Sequence, residues 1–285
     1  MAGVFHYRPL RPRHTLLFGA LFGGLLLAMP ALARIWPDLS RGPPALVFVL
    51  GSLAVSLLSF GLPVAGLAAL ARLGWAGAPI QEGAPPGPPL RRVLGWTAFN
   101  HLLVMPLLLV VTWWALDARG FRLDAFPTRG ELLGQLGVLV LLTEGTFYVS
   151  HRLLHRTWAF RHIHRWHHEL RAPSAITAFY MHPAEFALNN LGPLLLGVVV
   201  LAPPLLTLWV FAAVGTLNVT LTHSGRAIFG LPWAEHHDWH HHVIRENFGS
   251  LGLLDLLLGT DRGFRAQGAG GPVRVRAAER PRRSR

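Results

Sequence analysis

Long apolar runs alternate with short polar loops along the first half of this chain. Each run reaches or approaches the roughly 20 residues that a helix needs to cross the hydrocarbon core of a bilayer. The pattern therefore predicts four transmembrane helices. They cover about residues 15–32, 45–70, 93–116 and 132–148.

A further apolar block occupies residues 186–222 and is interrupted by Pro203 and Pro204. Each half has about 17 residues, which is marginal for a complete crossing. The block is therefore either a helical hairpin that dips into the membrane and returns, or two short spans. Either form brings the chain back to the side on which it left the fourth helix. Residues 75–90, rich in proline and glycine, predict a loop.

The distribution of arginine along the chain predicts its orientation in the membrane. Arg8, Arg11 and Arg13 precede the first apolar run, and the loop at residues 72–92 is also basic. Because basic loops stay on the cytoplasmic side, the N-terminus and the segment after the fourth helix are both expected there. Every basic side chain is arginine, which is typical of a GC-rich bacterial genome. The chain is therefore expected in a bacterial inner membrane, with its active site on the cytoplasmic face.

Composition agrees with a lipid-embedded body. The chain is 52% apolar and only 14% charged, whereas soluble domains carry about 25% charged residues. Cysteine is absent, which excludes disulfides, zinc–thiolate sites and Cys-ligated iron–sulfur clusters. The net charge of +12 is explained by arginines that set topology and contact anionic headgroups. No nucleic-acid partner is predicted.

Thirteen of the sixteen histidines lie between residues 150 and 243, and eight of them form three clusters. Residues three and four apart share one face of a helix, so each cluster is expected to aim its imidazoles at a single point. Eight ring nitrogens are too many for one tetrahedral zinc and suit two metal ions. The clusters are His151-x-x-x-His155, His164-x-x-His167-His168 and His237-x-x-His240-His241.

Neutral imidazole suits iron, copper, nickel and zinc. A redox metal is favoured here, because the site lies beside a lipid phase and the sequence has no Gly-x-Ser-x-Gly, phosphate-loop or His-Glu-x-x-His motif. A metal-binding or transport protein is a weaker alternative, since transporters place ionisable ligands inside their spans. A zinc hydrolase is also weaker, because it keeps about three protein ligands and a water.

Histidines that bind metal usually donate their other ring N–H to a carboxylate or a carbonyl. Glu144 lies seven residues before His151, hence on the same helical face, and a carboxylate inside a membrane span is a functional candidate. The alternative is that Glu144 only satisfies a neighbour at the membrane edge. The carboxylates predicted to support the site are Glu144, Glu169, Glu185, Glu235 and Asp238.

The clusters and the short motifs around them resemble the membrane fatty acid hydroxylase/sterol desaturase superfamily, and most closely its C4-methylsterol monooxygenases. The resemblance covers roughly residues 132–261. It rests on YVSHRLLH (148–155), IHRWHHE (163–169), AP (172–173), YMHPAE (180–185), THSG (222–225), AEHHDWHHH (234–242) and GTD (259–261).

This resemblance implies a non-haem di-iron enzyme with two iron ions as cofactor. His223 matches a further family histidine, and His182 lies in a matching motif as either a ligand or a neighbour of one. The implied iron ligands are His151, His155, His164, His167, His168, His223, His237, His240 and His241.

The resemblance also implies the reaction. Using O2 and electrons from a ferredoxin, cytochrome b5 or a reductase, the enzyme would oxidise a C–H bond of a lipid or sterol, as in C4-methyl sterol oxidation. Metal ligands do not distinguish a hydroxylase from a desaturase, so desaturation remains an alternative outcome.

We therefore expect an all-α, polytopic membrane protein of about four transmembrane helices plus a short hairpin, with a histidine-rich helical metal domain on the cytoplasmic face. Residues 1–130 would form the N-terminal transmembrane helices and loops. Residues 131–262 would form the catalytic domain, and residues 263–285 a basic disordered tail.

Overall fold

Long helices dominate the structure, a computed structural model that describes residues 4–5, 13–228, 232–267 and 273–274. Lipid offers no hydrogen bonds to the backbone, and a helix pairs its own N–H and C=O groups. The helices are α1 (Arg13–Leu39), α2 (Pro44–Arg72), α3 (Leu90–Asp117), α4 (Arg129–Leu154), α5 (Thr157–His162), α6 (Pro183–Leu201), α7 (Leu205–Thr222), α8 (Pro232–Val243), α9 (Leu253–Leu258) and α10 (Arg262–Gln267).

Shorter elements complete the described part of the chain. α3 contains a π-helical segment, Asn100–Val104, and α6 contains another, Phe186–Leu191. Two 3-10 helices, His164–Glu169 and Ala175–Thr177, lie between α5 and α6. Three two-residue strands pair antiparallel in the order β2-β1-β3, and they are β1 (Val4–Phe5), β2 (Gln81–Glu82) and β3 (Val273–Arg274).

The all-helical membrane fold is confirmed. In the part of the chain that the structure describes, α2, α3, α4, α6 and α7 are long and apolar enough to cross a membrane. The first predicted span lies within α1, which has 27 residues. The block at residues 186–222 contributes two helices, α6 and α7, that are each long and apolar enough to span a membrane, as in the two-span alternative. The protein is thus an integral, multi-pass membrane protein.

The proline pair after α6 explains why this block divides into two helices. Ala202 ends α6 in a left-handed conformation with φ of +46°. Pro203 and Pro204 follow, and proline cannot continue a helix because it lacks a backbone N–H. The chain reverses there, and α7 packs against α2 and ends on the side where α4 ends. That reversal places all three histidine clusters on one side of the helices.

Close packing of α2 on α7 and of α4 on α6 forms the apolar core. A side chain at Gly51 would collide with the ring of Trp209, so glycine allows α2 and α7 to approach each other. The indole N–H of Trp209 donates to Ser52 Oγ at 3.1 Å. The lipid-facing side of this core carries exposed leucines, as expected for a body surrounded by acyl chains.

Residues 263–267, the first of the predicted tail, belong to α10. The carboxylate of Glu246 accepts the backbone N–H of Gly263 and Phe264, each at 3.0 Å. The Phe264 ring packs against Trp239 and His236. These contacts fold the segment onto α8. The remainder of the predicted tail lies outside the described residues, apart from β3.

Candidate metal centre

Five histidines form a first group, in which one ring nitrogen of each lies within 4.8 Å of the others. His164 is central: its Nε2 lies 3.1 Å from Nε2 of His151, 2.9 Å from that of His155 and 3.0 Å from that of His168. Group 1 consists of His151, His155, His164, His168 and His240.

Four more histidines form a second group under the same limit. Nε2 of His223 lies 3.2 Å from Nε2 of His167 and 3.0 Å from that of His237. Nε2 of His241 lies 3.1 Å from that of His237. Group 2 therefore consists of His167, His223, His237 and His241, all of them buried. The structure thus brings together all nine histidines that the family resemblance implied.

The outer hydrogen bonds of group 1 determine which ring nitrogen carries the proton. Nδ1 of His151 donates to the carbonyl of Phe248 at 2.7 Å, and Nδ1 of His240 to that of Glu246 at 2.6 Å. A carbonyl can only accept, so each Nδ1 bears the hydrogen and each Nε2 is a bare lone pair.

Group 2 uses the same arrangement. Nδ1 of His223 donates to the carbonyl of Val219 at 2.7 Å. Nδ1 of His167 donates to that of Tyr180 at 3.3 Å. In each group, lone pairs therefore face one another at about hydrogen-bond distance without a proton between them. A metal cation in their midst satisfies them all, so the residues present fit a metal ion in each group.

Burial keeps these rings neutral at physiological pH. Desolvation, together with repulsion between neighbouring rings, lowers the pKa of His164, His168 and His237 well below the usual value. Desolvation also lowers the pKa of His167 to about 4 and that of His223 to about 3. Neutral imidazole is the form that binds metal, so no proton must leave before an ion enters.

The expectation that each cluster aims at a single point is wrong for two of the three clusters. His164 and His168 belong to group 1, whereas His167 between them belongs to group 2. On α8, His237 and His241 point into group 2, whereas His240 points into group 1. Residues 164–169 form a 3-10 helix, in which neighbouring residues are about 120° apart, so the rings of His167 and His168 diverge into different groups. These two segments therefore lie between the groups and contribute histidines to both.

Only part of the carboxylate prediction matches the geometry. Glu185 accepts from Nδ1 of His164 at 2.8 Å, and both side chains are buried. Glu144 instead accepts the backbone N–H groups of Leu251 and Leu253, at 2.8 Å and 3.0 Å. The segment that contains Leu251 and Leu253 also carries the Phe248 carbonyl, which accepts from His151. Glu144 therefore lies on the same helical face as His151 because both side chains contact this segment, which is a structural role.

Two other predicted carboxylates accept hydrogen bonds from side chains other than the metal-binding histidines. Glu169 accepts from the Tyr180 hydroxyl at 2.8 Å and pairs with Arg92 at 3.2 Å. Asp238 accepts from the Gln81 side-chain amide, and burial raises its pKa to about 7. Glu235 is buried close enough to Asp238 to contribute to that raised pKa.

His182 lies outside both groups. Its Nδ1 accepts from the backbone N–H of Ala184 at 3.1 Å and so caps the first turn of α6. Its ring meets Trp166 edge to face. Capping an N-terminus requires a side-chain acceptor at this position, which accounts for the residue without a metal.

The sequence did not reveal the backbone carbonyls that orient most of the rings, because every residue has a carbonyl and residue type does not indicate which one accepts from a histidine. It also did not reveal Asn100. The amide of Asn100 on α3 donates to the carbonyls of Phe179 at 3.3 Å and Met181 at 3.1 Å. These residues flank Tyr180, whose carbonyl accepts from His167. The signal available in the sequence was an asparagine inside an apolar span.

An apolar cavity of about 430 Å³ adjoins both histidine groups. Its walls come mainly from α4, α6 and α7, and they include Val140, Phe147, Leu194 and Phe211. Rings of both groups reach it, through His151 and His164 on one side and His167, His223 and His237 on the other. An apolar molecule in this cavity would lie directly against both metal-binding groups.

Residues 136–260 match the family model for fatty acid hydroxylases, and this range contains both groups. Over this segment the chain is similar to fatty acid hydroxylases. No solved structure matches the chain.

Curated relatives cover the same region. Over 181 residues the chain is 33% identical to human (Homo sapiens) "Fatty acid hydroxylase domain-containing protein 2", covering 62% of this chain and 53% of that protein. It is 31% identical over 178 residues to "Fatty acid hydroxylase ahd1" of Mycosarcoma maydis, covering 62% and 46%. It is 36% identical over 156 residues to "Methylsterol monooxygenase 1-1" of Arabidopsis thaliana, covering 50% and 51%. The chain thus spans about half the length of these relatives.

Proposed function

We propose that this protein is a membrane di-iron oxidoreductase that uses O2 and electrons to oxidise a C–H bond of a lipid or sterol. The observation that carries the proposal is the pair of converging histidine groups beside one apolar cavity. Nine imidazoles suit two ions better than one tetrahedral zinc. When bound, the two irons supply the reduction of O2 and the oxidation of the C–H bond.

The chain itself contributes ligands, orientation and a dry pocket. The nine histidines hold the ions, and the Phe248 and Val219 carbonyls hold the protons of His151 and His223 on Nδ1. Glu185 does the same for His164 and, being a carboxylate, makes that ring a more basic ligand. The apolar walls of the cavity exclude water and place the lipid against the site.

The cavity and the relatives support the proposed substrate class. An apolar cavity that opens among membrane helices suits a lipid or sterol. The relatives are named as a hydroxylase and as a methylsterol monooxygenase, which supports hydroxylation, including C4-methyl sterol oxidation. Desaturation of a lipid is the alternative outcome of the same site. Metal transport has less support, because most of the ligands lie beyond the ends of the spanning helices.

Electrons would come from a ferredoxin, cytochrome b5 or a reductase. Exposed arginines near the histidine groups, including Arg156, Arg161 and Arg165, form a basic surface suited to an acidic donor. We place this surface on the cytoplasmic face by the positive-inside rule. The bacterial inner membrane is proposed from arginine usage alone, since the relatives described above come from a human, a plant and a fungus.

An isotope experiment tests this function. The protein in lipid nanodiscs, reconstituted with Fe(II) without oxygen, is given sterols and fatty acids, a reductase system and ¹⁸O2. We expect a hydroxylated lipid that carries ¹⁸O, and no product from the His167→Ala variant. A new double bond without ¹⁸O would indicate the desaturase alternative. Iron-loaded protein that oxidises no lipid in these panels would contradict the proposal.

A further inference from the structure

Helix α9 has its polar and apolar sides reversed relative to a water-exposed helix. Its only charged residue, Asp255, is 0% exposed, whereas Leu257 is 77% exposed. Leu253, Leu256 and Leu258 are exposed as well. A helix on the surface of a soluble domain turns its apolar side inward and its charges outward. The reversal indicates that the surroundings of α9 are apolar.

The attachment of α9 to α4 fixes its depth. The carboxylate of Glu144 accepts the backbone N–H of Leu251 and Leu253. Glu144 precedes the end of α4 by ten residues, which corresponds to about 15 Å along the helix. Lipid-facing side chains lie on both sides of it along α4, since Leu141 is 65% exposed and Val149 56% exposed. The start of α9 therefore lies at the level of the hydrocarbon core.

The inward side of α9 requires no water. Asp255 accepts the backbone N–H of Phe248 at 2.8 Å and of Gly249 at 2.6 Å, and the hydroxyl of Thr260 at 2.6 Å. Its charge is thus compensated within the protein, and none faces outward. Exposed arginines, Arg262 and Arg265, follow in α10, at the position where headgroup contacts are expected beyond an apolar segment.

We infer that α9 lies in the bilayer, in the leaflet on the histidine side, with its leucines in contact with acyl chains. It does not cross the membrane, since six residues are far too few. The residues just before it, Ser250 and Leu251, line the apolar cavity. The segment therefore forms a lipid-side wall next to the cavity. This inference rests on the transmembrane helices and not on the proposed reaction.

The absence of cysteine from the chain permits a clean labelling test. Leu257→Cys, and Leu256→Cys as a second position, are labelled with a nitroxide in phospholipid vesicles. The collision rates of the label with O2, which concentrates in lipid, and with a nickel chelate, which stays in water, are then measured. Leu141→Cys on α4 serves as the lipid control and Arg165→Cys as the water control.

We expect the ratio of O2 to nickel accessibility at both α9 positions to match that of Leu141→Cys and to exceed that of Arg165→Cys. A ratio equal to the water control would overturn the inference. Low accessibility to both reagents would also overturn it, because a second protein surface would then cover the leucines. The measurement requires no iron and no turnover, so its outcome is independent of the proposed function.

Discussion

The two histidine groups are built from the same side chain but differ in what surrounds it. In group 1, the central ring of His164 donates to the carboxylate of Glu185. In group 2, His167 and His223 donate to neutral backbone carbonyls. A carboxylate partner makes an imidazole a more basic ligand. Two similar ions would therefore meet different electrostatic surroundings, and we expect the ion in group 1 to be bound more tightly than the ion in group 2.

The groups also depend on different parts of the fold. His151 of group 1 is oriented by the Phe248 carbonyl, in a segment anchored to Glu144 on α4. His167 of group 2 is oriented by the Tyr180 carbonyl, in a segment anchored to Asn100 on α3. Single substitutions can therefore perturb one group while the other stays intact.

Removal of a ligand from one group should have the largest effect. His164→Ala deletes the ring nearest to three others in group 1, and His237→Ala deletes its counterpart between two rings of group 2. Each variant should bind about one iron where the parent binds about two, as measured by elemental analysis. His182→Ala, outside both groups, should keep the parental content. Loss of all iron from either variant would show that the groups are not separable.

Replacement of Glu144 should have the next largest effect. Glu144→Leu removes the acceptor of three partly buried backbone N–H groups, and a buried N–H group costs about 1–3 kcal/mol when it is left unpaired. The melting temperature in detergent should fall sharply, and iron should be lost first from group 1. Glu144→Gln, which retains one acceptor oxygen, should show a smaller decrease. An unchanged melting temperature for Glu144→Leu would refute this role.

Removal of the charge beside His164 should weaken group 1 selectively. Glu185→Gln retains a side-chain oxygen that accepts from Nδ1 but loses the negative charge. Affinity for one of the two ions should fall by about 10- to 100-fold, measured by competition with an iron chelator. If both ions weaken equally, the electrostatic difference between the groups is not due to this carboxylate.

Asn100→Leu should produce the smallest effect, this time in group 2. The substitution removes two donors to the segment around Tyr180, at a net cost of about 1–2 kcal/mol. X-ray absorption should report altered iron–nitrogen distances for one ion, with iron content nearly retained. A change confined to stability, without a spectroscopic change, would mean that Asn100 only supports the fold.

The sequence was sufficient to predict the spans formed by α2, α3 and α4 and the eight histidines of the three clusters, because apolar length and ligand spacing are local properties. The ninth histidine, His223, was implied only by the family resemblance. The division of each later cluster between two groups was not predictable, since it depends on the 3-10 turn at residues 164–169 and on the approach of α8. Neither were the partners of Glu144 and Asp238. Leu251 and Gln81 lie 107 and 157 positions away, and only the folded chain brings them together.

Iron and zinc content of the purified wild-type protein, measured after anaerobic reconstitution with Fe(II), tests the central claim most directly. The two convergent groups of neutral imidazoles predict about two iron ions per chain. One tightly held zinc with no bound iron would contradict the di-iron account and favour a hydrolytic or purely metal-binding role.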